Sequence, residues 1–261
     1  MTTNSFQKKA IRERMKQTGE PYLEASRQLY GTSDEFPTPW SELNKALDGG
    51  LRKGSVTLLG SGSGGGATST AISIAEGAKN KRALYVSSEI YGQEFRTLDS
   101  KQDDDSSDLI FIYIGREQFG NLVGSLKGMV SSVHDIKDES DVELIVIDSF
   151  DFLTPGLPTV QEAAAMSAQI KKMAIELNLP VLLLTHLNTQ SAHEKAHFRH
   201  SSDLVQNSDV VLTSHVEGEG VNLVVRKNRF GDYGQKIALD WDKENCLMTS
   251  KKSTNNSSET N

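Results

Sequence analysis

Residues 60–68, GSGSGGGAT, have the composition of a loop that binds phosphate groups. Successive backbone N–H groups and the first turn of a helix can donate to phosphate oxygens, and glycine allows the close approach and positive φ angles that this needs. The residues predicted to bind a nucleotide are Ser63, Gly64, Gly65, Gly66, Ala67, Thr68 and Ser69. Against the pattern G-x-x-x-x-G-K-[ST], Ser61 replaces the first glycine and Ala67 replaces the lysine, while Thr68 keeps the hydroxyl that contacts Mg²⁺. Taken alone, the segment is also compatible with a flexible turn that happens to be rich in glycine.

Two acidic residues follow apolar runs that have the length of buried strands. Asp148 ends the run LIVID, and Glu89 ends ALYVSSE. At the carboxyl edge of a parallel sheet, Asp148 would lie beside the loop and coordinate Mg²⁺ together with Thr68. Glu89 would orient and deprotonate a water molecule aimed at a γ-phosphate. Each acid alone could instead be a helix cap or a turn residue, but their joint position beside the loop favours the catalytic interpretation.

The elements that must hold these residues alternate between strand and helix. Apolar strand-like runs begin at Val56, Ala83, Leu109, Leu144, Val181, Asp209 and Asn222. Helical segments are predicted at residues 71–79, near 122–133 and near 161–177. This alternation predicts an α/β fold with a mostly parallel sheet, helices on both of its faces, and an antiparallel edge formed by the last strands.

The chain is predicted to have three parts. Residues 1–35 form a short N-terminal helical arm, with helices at 6–17 and 22–30 broken by Gly19-Glu20-Pro21. Residues 36–249 form the main domain, because Gly, Ser, Asp and Pro dominate the boundary between 31 and 39. Residues 250–261 are polar and are predicted to be a disordered tail.

Composition excludes several classes of protein. No apolar run approaches the roughly 18 residues that a membrane span needs, and the N-terminus lacks the apolar core of a secretory signal. The single cysteine, Cys246, cannot form an internal disulfide or a cysteine-based zinc cluster. A net charge of −7 argues against a protein that coats nucleic acid, although it leaves room for a local basic patch. We therefore expect a cytoplasmic protein with no membrane partner.

From about Thr38 to Leu247, the chain resembles the RecA-like C-terminal ATPase domain of DnaB-type replicative helicases, with a degenerate Walker A loop. RadA-like proteins and plasmid-encoded hexameric helicases share much of this pattern. The stretches that carry the resemblance occur in the order of the family: Thr38-Pro39-Trp40 with Gly49-Gly50-Leu51, Ser87-Ser88-Glu89, residues 175–188 (IELNLPVLLLTHLN), residues 198–211 (FRHSSDLVQNSDVV) and Lys227-Asn228-Arg229-Phe230-Gly231.

The resemblance implies ATP and Mg²⁺ as cofactors and Glu89 as the catalytic base. His186 stands where the family has its phosphate-sensing glutamine. Lys227 and Arg229 correspond to the hairpin residues that reach the nucleotide of the neighbouring subunit, which implies a ring of subunits, expected to be a hexamer.

The resemblance also implies a DNA-binding segment. Lys195 and Arg199 fall where the family's central-channel loop contacts the phosphate backbone of single-stranded DNA. The expected role is in DNA replication or in plasmid or phage maintenance, with another replication protein as a possible partner.

The substitution at Ala67 leaves two functions open. Loss of the loop lysine removes a charge-assisted contact worth about 1.5 to 3 kcal/mol in binding. Its effect on the rate is on the order of a hundredfold or more. The chain is therefore either an ATP-dependent helicase-type protein or a catalytically inactive relative that binds a helicase or DNA without hydrolysing ATP. ATP turnover distinguishes the two.

Overall fold

The structure is a computed structural model that describes residues 12–19, 35–77, 82–87, 89, 109–113, 142–153, 159–187 and 202–251. The chain divides into two compact units, residues 1–34 and residues 35–261. In the first unit, residues 12–18 form a helix, α1, which overlaps the helix predicted at 6–17. The second predicted helix of the arm, residues 22–30, lies outside the described residues.

The second unit contains the predicted alternation of strands and helices. Its described strands are β1 (Glu35–Phe36), β2 (Leu51–Arg52), β3 (Val56–Ser61), β4 (Arg82–Ser87), β5 (Leu109–Tyr113), β6 (Val142–Asp148), β7 (Val181–His186), β8 (Val210–Glu217), β9 (Gly220–Asn228), β10 (Lys236–Asp242) and β11 (Leu247–Ser250). Its described helices are α2 (Ser41–Ala46), α3 (Ala67–Gly77), α4 (Val160–Leu177) and α5 (Ser202–Asn207), with a 3₁₀ turn at Phe150–Phe152.

The main sheet is mixed. Within the described residues it has nine strands in the order β11-β10-β9-β8-β3-β7-β6-β4-β5. The strands from β8 to β5 in that order are parallel, whereas β9, β10 and β11 are antiparallel to their neighbours. The predicted α/β class, with a mostly parallel sheet and an antiparallel edge, is confirmed.

Both faces of the sheet are buried, which explains why the central strands are continuous apolar runs. Successive residues of a strand point to opposite faces, so Leu58 and Leu59 belong to different hydrophobic clusters. One cluster contains Leu59 and side chains of α3, including Ile74. The other contains Leu58 and side chains of α4, including Ile170. The prediction of helices on both faces is therefore also confirmed.

Helix α4 begins and ends where its sequence provides caps. The Thr159 hydroxyl accepts from the Glu162 backbone N–H at 3.2 Å, and the Glu162 carboxylate accepts from the Thr159 backbone N–H at 2.8 Å. This reciprocal capping box satisfies two N–H groups that the helix itself leaves free. At the other end, Asn178 adopts a left-handed conformation with φ of 51°. The helix predicted near residues 161–177 is thus present.

Two predicted features lie wholly or largely outside the described residues. The predicted helix near 122–133 falls outside the described residues, as do residues 252–261 of the predicted tail. Ser250, the first residue of the predicted tail, is instead the last residue of strand β11. This strand is bonded to helix α3, because the backbone N–H of Met248 donates to Ser73 Oγ at 2.8 Å. None of the described helices has the length and apolar character needed to cross a membrane.

Candidate functional site

Four parallel strands end at one edge of the sheet: β3 at Ser61, β4 at Ser87, β6 at Asp148 and β7 at His186. The strand register sets Ser87 beside Asp148 and Ser61 beside His186. An open cavity of about 240 Å³ lies at this edge. It is lined by Ser61, Gly62, Ser63, Gly64, Gly65, Gly66, Ala67, Thr68, Ser69, Glu89, Asp148, Ser149, Leu184, Thr185, His186 and Trp241. The predicted loop residues and both predicted acids therefore share one cavity.

The glycine-rich loop connects β3 directly to α3, as a phosphate-binding loop requires. The backbone N–H of Gly65 donates to the Gly62 carbonyl at 2.9 Å and closes a tight turn. Gly64 and Gly66 have φ angles of 69° and 80°, a region that other residues rarely adopt. A Cβ on Gly66 would also lie 2.9 Å from Met248 Cε. Glycine is therefore required at 66 by both conformation and space.

Asp148 is buried at the base of the cavity, with 2% of its surface exposed. Its Oδ2 accepts from the Tyr85 hydroxyl at 2.7 Å and from the Thr68 hydroxyl at 3.2 Å. Burial raises the pKa of Asp148 from 3.8 to about 6; the hydrogen bond from Tyr85 opposes this shift, and the charge of Glu89 adds to it. Burial also raises the pKa of Tyr85, and the neighbouring Asp148 charge adds to this effect. Tyr85 is therefore a neutral donor that holds the carboxylate in place.

Glu89 reaches the cavity from the residues just after β4. Its backbone N–H donates to Ser87 Oγ at 3.1 Å, and its Oε1 accepts from Ser149 Oγ at 2.7 Å. The Glu89 side chain is 25% exposed, whereas Asp148 next to it is almost fully buried. The two carboxylates thus differ in solvent access, as expected if one coordinates a metal ion and the other handles a water molecule.

His186 is held between two acids. The Asp151 carboxylate, which has no exposed surface, lies 3.1 Å from His186 Nδ1 and also accepts from the His186 backbone N–H at 2.9 Å. Thr185 Oγ1 donates to the same oxygen at 3.1 Å. On the other side of the ring, Nε2 lies 3.8 Å from Glu89 Oε1. These contacts orient the imidazole towards Glu89 and the cavity.

The oxygen donors of the site suit a magnesium ion that arrives with phosphate. Thr68 and Asp148 offer a hydroxyl and a carboxylate, and Mg²⁺ is bound in proteins by one or two carboxylates together with substrate phosphates. The described residues contain no group of three or more His, Cys, Asp or Glu that could hold a metal ion alone. Among these residues, no lysine or arginine lines the cavity, whereas Glu89 and Asp148 do. The cavity therefore needs cations from elsewhere to bind a polyphosphate.

Lys227 and Arg229 do not line the cavity of their own chain. Lys227 Nζ donates to the carbonyls of Val205 at 2.7 Å and Ser208 at 2.6 Å, at the C-terminal end of α5. Burial lowers the pKa of Lys227, the charge of Arg229 lowers it further, and Asp209 opposes both effects. Arg229 Nη1 contacts Asp209 Oδ1 at 3.2 Å. The predicted DNA-binding residues, Lys195 and Arg199, lie outside the described residues.

Sequence reasoning did not identify Tyr85, Ser149, Asp151 or Trp241 as parts of the site. Ser149 and Asp151 follow Asp148 directly, so the signal for them was present in the run DSFD. Trp241 continues the alternation of buried residues in β10, where Ile237 and Leu239 are in the core. That alternation could have placed Trp241 on the core face, but only the fold reveals that this face adjoins the loop.

Asp148→Asn is expected to stabilise the ligand-free protein above pH 6. The pKa of Asp148 is about 6 in the folded chain, whereas the ordinary value for aspartate, taken for the unfolded chain, is 3.8. The folded state therefore binds this proton more tightly than the unfolded state does. The wild type should therefore lose stability, on the order of 2 to 3 kcal/mol, as the pH rises from about 4 to about 6. Asparagine cannot ionise, so the advantage of the variant in Tm should be largest at pH 7.5 and should shrink towards pH 4.5.

The matched control is Asp240→Asn, at an exposed position of β10. This variant should follow the wild-type pH profile. Added Mg²⁺ with nucleotide should raise the Tm of the wild type at pH 7.5 more than that of Asp148→Asn. Identical pH profiles for the wild type and Asp148→Asn would show that Asp148 ionises normally in the folded protein.

Comparison with known proteins agrees with the motifs and the fold. Residues 121–249 match the family model of the DnaB-like helicase C terminal domain. A solved structure described as an ATPase domain has a TM-score of 0.71 and 17% identity, covering 91% of this chain and 99% of that chain. A DnaB-like replicative helicase, whose structure is described with its interactions with primase, has a TM-score of 0.72 and 17% identity, covering 88% of this chain and 65% of that chain.

Two further proteins show how widely the fold is shared. A KaiC-like protein from the hyperthermophilic archaeon Pyrococcus horikoshii OT3 has a TM-score of 0.61 and 13% identity, covering 84% of this chain and 98% of that chain. The DNA repair protein RadA of Mycolicibacterium smegmatis is 30% identical over 216 residues, which is 77% of this chain and 42% of RadA. The chain thus spans less than half the length of this relative. The structural matches establish the fold as RecA-like.

Proposed function

We propose that the RecA-like domain of this chain is a DnaB-like helicase C-terminal domain that binds ATP with Mg²⁺ at the cavity and hydrolyses it in a process of DNA replication or repair. The supporting observation is the convergence of the loop, Thr68, Glu89 and Asp148 on one cavity at the carboxyl edge of the sheet. Residues from three separate parts of the sequence meet there, in the arrangement that phosphoryl transfer to water needs.

In this proposal each group has a defined task. The backbone N–H groups of residues 63–69 bind the phosphates, and Thr68 and Asp148 hold the magnesium ion. When bound, that ion neutralises phosphate charge that would otherwise face Glu89 and Asp148. Glu89, fixed by the hydroxyl of Ser149, accepts the proton of the attacking water. His186, oriented by Asp151, contacts the oxygens of the γ-phosphate in this proposal.

Neighbouring subunits and DNA complete the proposal. We place Lys227 and Arg229 at the nucleotide of an adjacent subunit in a ring, which we take to be a hexamer. Single-stranded DNA would bind through Lys195 and Arg199, and the salt dependence of binding would report those phosphate contacts. One solved relative is a replicative helicase described with primase, so another replication protein is the partner class that we propose.

Ala67 supports a second candidate function, that of a catalytically inactive accessory protein. At the position where the phosphate-loop pattern has lysine, Ala67 is 8% exposed and lines the cavity without charge. A protein of this kind would keep the fold and its interaction surfaces and would bind a helicase or DNA without turnover. The substitution alone does not decide between the two functions, because cations from other positions can compensate for it.

Ala67→Lys is expected to tighten the binding of ATP with Mg²⁺ at least about tenfold, because a charge-assisted contact to phosphate is worth roughly 1.5 to 3 kcal/mol. Binding is measured by titration calorimetry, and turnover is measured by phosphate release with and without single-stranded DNA. The control, Ala168→Lys, adds the same charge at an exposed position of α4 and should leave affinity unchanged.

The outcomes separate the two functions. Turnover by the wild type supports the ATPase. If the wild type neither binds nor hydrolyses ATP while Ala67→Lys does, the accessory function is supported. If neither protein binds ATP while both remain folded, the cavity is not a nucleotide site.

A further inference from the structure

The candidate site lacks positive charge. Among the described residues of the cavity wall, Glu89 and Asp148 are acidic, His186 is the only titratable base, and none is lysine or arginine. A triphosphate brings several negative charges into this environment, and one magnesium ion offsets only part of them. A nucleotide site with this wall therefore requires a further cation, which Ala67 does not supply.

A lysine lies next to one residue of the cavity wall. The ammonium nitrogen of Lys243 is positioned over the Trp241 ring, 5.1 Å from the ring centroid. Trp241 lines the cavity, and Lys243 itself is exposed. Among the described residues, no carboxylate forms an ion pair with Lys243, and a cation–π contact at an exposed site is weak. The ammonium group can therefore leave the ring for a stronger partner.

Trp241 lines the cavity together with the glycine-rich loop, and Lys243 contacts its ring. In the pairing of β10 with β11, Trp241 is opposite Met248. The methyl group of Met248 in turn lies 2.9 Å from the point that a Cβ on Gly66 would occupy. Gly66 immediately precedes Ala67, so Trp241, the residue that Lys243 contacts, lies near the part of the loop where the lysine is absent. The long, flexible stem of a lysine suits it to bridge the remaining distance.

We propose that Lys243 supplies, from within the same chain, the phosphate-binding cation that the loop lacks at Ala67. In the ligand-free protein Trp241 holds the ammonium group at the rim of the cavity. When a nucleotide binds, the ammonium group moves from the ring to the phosphate oxygens. This inference rests on the proposed function, because it identifies the residue that makes nucleotide binding possible without the loop lysine.

The first test is the affinity of the full chain for ATP, ADP and AMP with Mg²⁺, measured by titration calorimetry for the wild type and for Lys243→Met. Methionine keeps an unbranched side chain and removes the charge. We expect ATP binding to weaken roughly tenfold to a hundredfold, which is the range for loss of a charge-assisted contact. The loss should be smaller for AMP, since fewer phosphate charges are present.

The control is Lys236→Met. Lys236 is on the same strand as Trp241 and is exposed, but it pairs with Glu217 at 2.8 Å. Its removal changes the net charge equally and should alter ATP affinity less than about twofold, because exposed charges are screened over distances beyond a Debye length. In addition, Ala67→Lys introduced into Lys243→Met should restore ATP binding, because both lysines serve the same phosphates.

Tryptophan fluorescence provides a second readout. The chain has two tryptophans, and the other, Trp40, is 1% exposed and donates to the Met248 carbonyl. Saturation with ATP should change the emission of the wild type, and Trp241→Phe should remove that change. In Lys243→Met no ammonium group lies over the Trp241 ring. The part of the emission change that its departure causes in the wild type should therefore be absent from this variant.

The outcomes separate this inference from the proposed function. If the wild type binds ATP and Lys243→Met binds it equally well, or loses no more affinity than Lys236→Met, Lys243 is not the compensating cation and the proposed function stands. An equal loss for ATP and AMP would also overturn the inference. If the folded wild type does not bind ATP, both the proposed function and this inference fail.

Discussion

Glu89→Gln is expected to lower the Mg²⁺-dependent ATP turnover of the chain by at least about a hundredfold while leaving ATP affinity within a few-fold of the wild type. Glutamine keeps the size of the side chain and can still accept from Ser149 Oγ, but it cannot take a proton from water. General-base catalysis contributes typically 10²- to 10⁴-fold, so the effect belongs to kcat and not to binding. Phosphate release under single-turnover and steady-state conditions measures it.

Glu219→Gln is the matched control for this prediction. Glu219 is an exposed residue in the turn between β8 and β9, outside the cavity wall, so the same chemical change there should leave turnover unchanged. Ser149→Ala should give an intermediate loss, since it removes the donor that positions Glu89 but keeps the base. If Glu89→Gln retains wild-type turnover, another group activates the water and the assignment of Glu89 is wrong.

The parts of the site that follow from the sequence are those determined by neighbours along the chain. Asp148 and Glu89 come at or just after the ends of apolar runs, and parallel strands present their carboxyl ends at a common edge, so their meeting can be predicted without coordinates. The glycine-rich loop is recognisable because φ angles such as that of Gly66 limit which residues are tolerated. The class of the sheet is predicted from a different signal along the chain, the alternation of apolar runs with helical segments.

The remaining parts depend on contacts between distant residues. The role of Trp241 arises because the antiparallel edge folds over the loop, which brings Met248 against Gly66. Likewise, the motif that contains Lys227 suggests a residue directed at a neighbouring subunit, whereas Lys227 caps the end of α5 in its own chain. No spacing in the sequence indicates which carbonyl groups a lysine will find, because that depends on how α5 packs beside β9.

Asp209 is the residue whose loss we expect to destabilise the fold most clearly. It is 2% exposed, and its carboxylate accepts from the Val56 backbone N–H at 2.9 Å and contacts both Lys171 and Arg229. Asp209→Ala would leave the buried Val56 N–H group without its acceptor, and the ammonium group of Lys171 would lose its carboxylate partner while keeping the Gly54 carbonyl at 3.0 Å. Leaving buried partners unpaired costs about 3 kcal/mol, which corresponds to a fall of roughly 6 to 12 °C in Tm for a domain of this size.

Chemical and thermal unfolding measure the effect, with Asp240→Ala at an exposed position of β10 as the control that should change stability by less than about 0.5 kcal/mol. Arg229→Ala should cost less than Asp209→Ala, because the Arg229 side chain is 53% exposed and Lys171 still pairs with the acid. This order of effects follows from the desolvation of Asp209, since a buried charge without a partner is more costly than an exposed one. If Asp209→Ala and Asp240→Ala were equally stable, the Lys171, Asp209 and Arg229 cluster would contribute nothing to folding, and Arg229 would be held at the end of β9 by its backbone alone.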